Sequence, residues 1–189
     1  MSLAAAMRRE RLLAAAVGAC LWAMPLATAA EEGANPAVTL GPVTVHGSEA
    51  DTVLLGLGQF DFVADIDPAF AANLEYRLGR KLWVVGPTAG VDVNARGGIY
   101  GYLGIYADIS IGSVVVTPQL AAGGWRQGNS ADLGGVFQFR QALDVAWRFA
   151  NGWRAGVRVT HISNAGINDN NPGVEELFAI LAIPVGPLF

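Results

Sequence analysis

Residues 137–149 read Phe-Gln-Phe-Arg-Gln-Ala-Leu-Asp-Val-Ala-Trp-Arg-Phe. Phe137, Phe139, Leu143, Val145, Trp147 and Phe149 take the odd positions, whereas Gln138, Arg140, Asp144 and Arg148 take the even ones. In a β-strand a period of two sends these sets to opposite faces. One face suits lipid and the other suits a packed, polar lumen, which is the pattern of a transmembrane β-barrel.

Working outward, eight segments have about the length of a tilted membrane-crossing strand. They lie near 52–63, 69–79, 81–94, 98–109, 112–124, 135–149, 152–163 and 175–186. In the second, Leu74 and Tyr76 oppose Asn73, Glu75 and Arg77. The third sets Trp83, Val85, Val91 and Val93 against Thr88, Asp92 and Asn94. The fourth is ambiguous, because either Leu103 and Ile105 or the tyrosines Tyr100, Tyr102 and Tyr106 could face lipid. Connections alternate between tight (Gly79-Arg80, Ser110-Ile111, Ala150 to Gly152) and mostly longer ones (64–68, 95–97, 125–134, 164–174). Outer-membrane barrels have short periplasmic turns and longer external loops, so the expected fold is all-β, an eight-stranded antiparallel barrel with the 164–174 loop outside. Eight strands enclose side chains rather than a channel, and bulk transport is disfavoured.

Composition agrees. Mean hydropathy is +0.37, with 52% hydrophobic and 15% charged residues, yet beyond the N-terminus no long apolar run appears. Arg8, Arg9 and Arg11 precede an apolar stretch from Leu12 to Leu26 and then Ala27-Thr28-Ala29-Ala30. Residues 1–30 therefore read as a secretory signal peptide, since a transmembrane helix needs about 20 apolar residues. Cys20 lies inside it after Val17-Gly18-Ala19, a loose likeness to a lipoprotein site, but the apolar residues continue past it as an uncut leader would. Without the leader the chain keeps 9 basic and 15 acidic residues, a net charge of −6, and no cysteine. Nucleic acid is an unsuitable partner for such a chain. Residues 31–50 read as a periplasmic tail with room for a short extra strand, and His46 as a solvated residue. Residues 51–189 form the expected barrel, which ends on an aromatic residue, Phe189, as substrates of the barrel-assembly machinery often do.

Chemistry concentrates at 161–176. Trp153, Ala155, Val157 and Val159 form an odd-numbered apolar face that His161 and Ser163 continue. After a loop rich in Asn, Gly and Pro, Glu175 starts a strand whose odd positions Leu177, Ala179, Leu181, Ile183 and Val185 are apolar. In a hairpin, His161, Ser163 and Glu175 share one face at its mouth. Hydroxyl nucleophile, base and base-orienting acid make a serine-hydrolase triad. Asn171 and loop amides could hold the oxyanion. Glu176 falls on the other face, no Gly-x-Ser-x-Gly elbow surrounds Ser163, and Asn168 to Asn171 lacks EF-hand spacing. A slip of one residue in register would turn His161 and Ser163 into the lumen.

The segment His161-Ile162-Ser163-Asn164-Ala165-Gly166-Ile167, with Asn171, Gly173 and Glu175 downstream, resembles the outer-membrane lipid A 3-O-deacylases of the PagL family, which are acyloxyacyl hydrolase-like. The likeness is specific over roughly 135–187 and architectural before that. It implies a Gram-negative outer-membrane esterase without cofactor or metal, with His161, Ser163 and Glu175 as the triad on the lipid-facing wall near the outer leaflet. Asn171, the Gly166 amide and Asn164 would position the oxyanion or substrate. The substrate implied is lipid A of lipopolysaccharide, losing the 3-hydroxyacyl chain esterified at position 3. A homodimer is left open. Two other classes fit the residues alone: a non-catalytic structural or adhesive barrel, and an esterase or phospholipase acting on another lipid ester.

Overall fold

The computed structural model describes residues 36–186. The expected leader and Phe189 lie outside the described residues. The strands are β1 (Pro36–Leu40), β2 (Val43–His46), β3 (Asp51–Phe60), β4 (Ala69–Arg77), β5 (Gly86–Asn94), β6 (Ile99–Tyr106), β7 (Ile109–Ile111), β8 (Val114–Arg126), β9 (Phe137–Arg148), β10 (Arg154–Ser163) and β11 (Val174–Val185). Eight of them close a barrel in the order β3-β4-β5-β6-β8-β9-β10-β11, and β11 pairs back on β3. Every pairing is antiparallel. Closure leaves no unpaired strand edge within the wall, as hydrocarbon requires.

The alternation expected along β9 is realised residue by residue: Phe137, Phe139, Leu143, Val145 and Trp147 are exposed, and Gln138, Arg140, Ala142, Asp144 and Ala146 are buried. The ambiguity in β6 resolves with its tyrosines inside. Their hydroxyls donate to Gln138 O at 2.8 Å, Glu75 Oε2 at 2.6 Å and Leu78 O at 2.8 Å, partners that lipid could not supply.

The lumen is solid. Arg158, fully buried, reaches Asp144 (2.6 and 2.9 Å), Glu75 (3.0 and 3.1 Å) and Asn73 (2.9 Å). Arg77 bridges the same two carboxylates at 2.6 Å each. Arg140 holds Asp92 at 3.1 Å and bonds Gln119. These contacts cross-link β4, β5, β8, β9 and β10 through the interior. Toward the end bearing the 164–173 loop the filling becomes apolar, with Phe60 stacked on Trp125 at 5.6 Å above Ile162, Val174, Phe178 and Leu133.

The opposite end departs from expectation in three places. The expected tight connection Ser110-Ile111 lies within β7, which pairs with β2 and β8, and the turn falls at Gly112-Ser113 instead. The stretch 81–85 is not strand: Leu82 and Val85 bridge across a tight turn, Trp83 adopts φ 58°, and Leu82 and Trp83 project outward. The cause is Lys81, whose buried ammonium turns inward to Asp108 at 3.0 Å and bends the chain away from the wall. His46 is not solvated either. β1 and β2 form a hairpin whose second strand pairs with β7, and this folds the following chain beneath the barrel floor. His46 is buried, with Nε2 2.7 Å from Ser110 Oγ and Nδ1 2.7 Å from Glu49 Oε1. Arg154 then binds Glu49 at 2.6 Å and Asp108 at 2.9 Å. Burial pushes the carboxyls of Glu49 and Asp108 up. For Glu49 the His46 contact and Arg154, and for Asp108 the Arg154 and Lys81 cations, outweigh it and hold both below their ordinary values.

Two predictions follow from these charges. Arg158→Ala leaves the buried Glu75 and Asp144 to share the single cation of Arg77 and should destabilise the barrel by about 3–5 kcal/mol, against at most about 1 kcal/mol for Arg96→Ala, whose Asp67 partner is at the surface; urea unfolding in lipid vesicles measures both. Because the folded carboxyls of Glu49 and Asp108 are depressed, their stabilisation is present above the unfolded values of about 4 and fades as pH falls below them. The stability gap between wild type and Asp108→Asn, read from the same unfolding curves, should therefore be constant from pH 7 to about 5 and shrink below about pH 4.

Candidate active site

The register of β10 on β11 sets His161 directly opposite Glu175. Both side chains, and Ser163, lie on the outward face with Val157, Val159 and Leu177, while Ile162 and Glu176 point into the lumen and are buried. The structure brings the three side chains together. His161 Nδ1 is 3.0 Å from Glu175 Oε1, and Nε2 is 3.1 Å from Ser163 Oγ. A carboxylate can only accept, so Nδ1 carries the proton and Nε2 is left to accept from the serine hydroxyl. The His161 and Glu175 side chains are 41% and 31% exposed, so the group opens outward. Phe139 pairs with Ser163 on β9 and places an aromatic ring beside the nucleophile. Gly173, at φ 67°, packs so closely on the imidazole that a Cβ there would stand 3.0 Å from His161 Cε1.

The loop 164–173 is ordered by Asn164. Ala165 and Gly166 both have positive φ, and Ile167 N–H donates to Asn164 O at 3.1 Å, the geometry of a type I′ turn. The fully buried Asn164 side chain donates to Asn170 O at 2.7 Å and Leu133 O at 3.0 Å. Its backbone N–H donates to Asn171 Oδ1 at 3.0 Å. That last bond consumes the carbonyl end of the Asn171 amide and fixes the exposed residue with its NH₂ as donor. The Gly166 amide, expected to face an oxyanion, is instead engaged within the loop, donating to Asn164 Oδ1 at 3.0 Å. Asn164 thus acts from behind as the loop's hub rather than toward a substrate.

Sequence reading gave Gly173 only as part of the family likeness, without its contact, and missed the 127–136 loop. Gly173 as the wall of the imidazole pocket carries no spacing signal beyond its place after Pro172. The 127–136 loop, which touches the active loop through Leu133, offered only the pair Gly134-Gly135 as a hint. Among the described residues no grouping of His, Cys, Asp or Glu is arranged to hold a metal ion.

Comparison with known proteins bears on fold and family. The family model for lipid A 3-O-deacylase (PagL) matches residues 57–184. Lipid A deacylase PagL of Pseudomonas aeruginosa is 37% identical over 65 residues, which cover 34% of this chain and 37% of that protein. The chain thus spans little more than a third of that curated relative's length in the matched region. Among solved structures, the crystal structure of the outer membrane enzyme PagL superposes with a TM-score of 0.55 at 18% identity, covering 71% of this chain and 99% of the other. The outer membrane protein Ail of Yersinia pestis gives 0.43 at 13% identity, over 71% of this chain and all of that one. With more than half of its length matched, and the His161, Ser163 and Glu175 hairpin inside the matched span, the chain belongs to the PagL family of lipid A 3-O-deacylases.

Proposed function

We propose that this protein is an outer-membrane serine esterase that removes the 3-hydroxyacyl chain esterified at position 3 of lipid A, with Ser163 as nucleophile, His161 as base and Glu175 as the acid that orients it. The observation that carries the reading is the outward triad, its three members linked at 3.0 and 3.1 Å on a wall built for lipid. A polar constellation on such a face is costly unless it functions. An outer-leaflet lipid can present its ester there without leaving the membrane, its acyl chains lying along Val157, Val159 and Leu177.

In the acylation step Ser163 Oγ attacks the ester carbonyl as its proton passes to His161 Nε2, and Glu175 stabilises the imidazolium. The Asn171 NH₂ donates to the developing oxyanion. Collapse breaks the bond to the sugar oxygen, which takes the proton from His161. Water, deprotonated by His161, then attacks the acyl-serine, and collapse releases the 3-hydroxy fatty acid as the His161 proton returns to Ser163 Oγ. The Gly166 amide can join Asn171 only by releasing its bond to Asn164. Folding by the barrel-assembly machinery belongs to the reading, as for other outer-membrane barrels. One copy completes the triad, because a single hairpin supplies it.

Mass spectrometry of lipid A from Gram-negative cells making the protein should reveal loss of one 3-hydroxyacyl group with wild type and none with Ser163→Ala at matched outer-membrane levels. Unchanged lipid A with a folded wild-type barrel would sink this substrate, and Ser163-dependent release of another fatty acid would redirect it to a different lipid ester. With purified protein, Asn171→Ala should lower kcat by about 10²–10³-fold, the usual cost of one oxyanion donor, with KM nearly unchanged.

A further inference from the structure

The loop between β8 and β9 contributes no side chain to the triad, yet it presses on the active loop through bare backbone. Gly134 has φ 78°, and a Cβ on it would stand 1.7 Å from Asn170 O and 3.0 Å from Asn164 Nδ2. A Cβ on Gly135 would stand 2.4 Å from Asn168 Nδ2. Beside them Leu133 is fully buried in the lumen's apolar end, and its carbonyl accepts from Asn164 Nδ2 at 3.0 Å and from Gln138 Nε2 at 3.1 Å. Gln138 also donates to Gly135 O at 2.7 Å, and Asp132 Oδ1 accepts from Gly134 N–H at 2.9 Å. The loop is therefore seated on the barrel on one side and in contact with Asn164 and Asn170 on the other.

We infer that the 133–135 segment of this loop is a positioning element for the reaction, and that Gly134 sets the place of the Asn171 amide through Asn170 and Asn164. The inference rests on the ester-hydrolase reading of the site. Asn170 is bonded directly to Asn171 in the chain, and the Asn164 backbone N–H anchors Asn171 by donating to its side-chain Oδ1. A side chain at Gly134 has to displace the Asn170 carbonyl, and the oxyanion donor moves with it. Ser163, His161 and Glu175 stand on paired strands and do not depend on this contact. The loop consequently tunes oxyanion stabilisation without touching the triad. A displacement of about 1 Å at a reacting centre costs about 10²-fold in rate, so Gly134 matters out of proportion to its size.

Gly128 supplies the control. It lies in the same loop at φ 61°, but its Cβ would meet Gly97 O at 2.4 Å and Arg96 O at 3.1 Å, on the side away from the active loop. Gly134→Ala and Gly128→Ala strain one loop equally in kind, and only the first pushes on Asn170.

The test uses the full chain refolded in vesicles containing lipopolysaccharide, with the folded band on unheated gels confirming each barrel. Gly134→Ala should lower kcat about 100-fold, with KM within about twofold and the acid limb of the pH–rate profile unmoved, while Gly128→Ala keeps wild-type kcat. Leu133→Ala, which unseats the loop without a backbone clash, should lower kcat in the same way, and it replaces Gly134→Ala if that variant does not fold. A second readout is independent of the lipid: a fluorophosphonate forms an Oγ–P bond with Ser163, loses fluoride and leaves the serine proton on His161, and its labelling rate also depends on the oxyanion donor. Slower labelling of Gly134→Ala on a wild type that labels but leaves lipid A intact would uphold the positioning role and overturn only the substrate. Wild-type kcat and labelling in Gly134→Ala or in Leu133→Ala, or an equal loss in Gly128→Ala, would overturn the inference. A wild type that neither labels nor turns over lipid would overturn both.

Discussion

Hydrocarbon offers no hydrogen-bond partner, and that single deficit organises this protein. A backbone in lipid must satisfy itself, so the strands close into a barrel with β11 returned to β3. Side chains must sort with the same strictness, and the alternation along β9, large apolar groups outward and Gln138, Arg140 and Asp144 inward, is the sorting carried to completion. The inward charges then need partners, which an eight-stranded lumen is narrow enough to supply from its own walls. Arg158 bonding to residues of both β4 and β9 is the result: a charge excluded from water and lipid alike, held by two carboxylates and an amide.

Under that constraint, polar side chains on the outer face stand out, and the outward Ser, His and Glu on β10 and β11 are the chemically informative exception. Their meaning is sharpened by a second group of the same residue types at the opposite end. His46 hydrogen-bonds Ser110 through Nε2 and approaches Glu49 through Nδ1 as an ion pair, both at 2.7 Å, the same residue types in the same order. There the ring is buried, the serine is sealed beneath the N-terminal hairpin and Glu49 is committed to Arg154. Such a group can fasten a chain segment but cannot meet an ester. The His161 group differs by exposure and by a loop of polarised amides beside it, not by residue type or distance. Residue identity and hydrogen-bond geometry define what a constellation could do, and access decides what it does.

The barrel was legible because its period-two signal is enforced at nearly every position of the wall, and the outward placing of His161, Ser163 and Glu175 was legible because they obey that period while breaking the polarity. Where the period lost its cause, reading failed. At 81–85 the apolar residues Leu82, Trp83 and Val85 mimic a strand, but the position of Lys81 is set by Asp108, far along the chain. The tyrosines of β6 have amphipathic rings that fit lipid or lumen, and only partners on β4, β9 and the 78–85 turn decide between them. His46 is buried through the pairing of β2 with β7, a contact between segments more than 60 residues apart. The bond from the Gly166 amide to the Asn164 side chain, two residues earlier in the turn, was not legible either, because it depends on the turn's own geometry.

A rigid wall is a good place to hold three side chains and a poor place to hold an oxyanion. Strand positions repeat at fixed spacing, so the register that brings His161 opposite Glu175 fixes the proton path to within a hydrogen bond. In the proposed reaction the oxyanion, however, would be met from beyond the strand end, where the backbone has left the ladder and has amides to offer. That part of the site has to be made rigid by other means. Here the means are a turn of positive-φ residues, an asparagine with every polar atom of its side chain engaged, and a neighbouring loop whose glycines permit backbone to touch backbone. The division follows from the membrane itself: the wall can carry only side chains, because its backbone is spent on closing the barrel, so any backbone-dependent chemistry moves to the rim, where the loops begin and water returns.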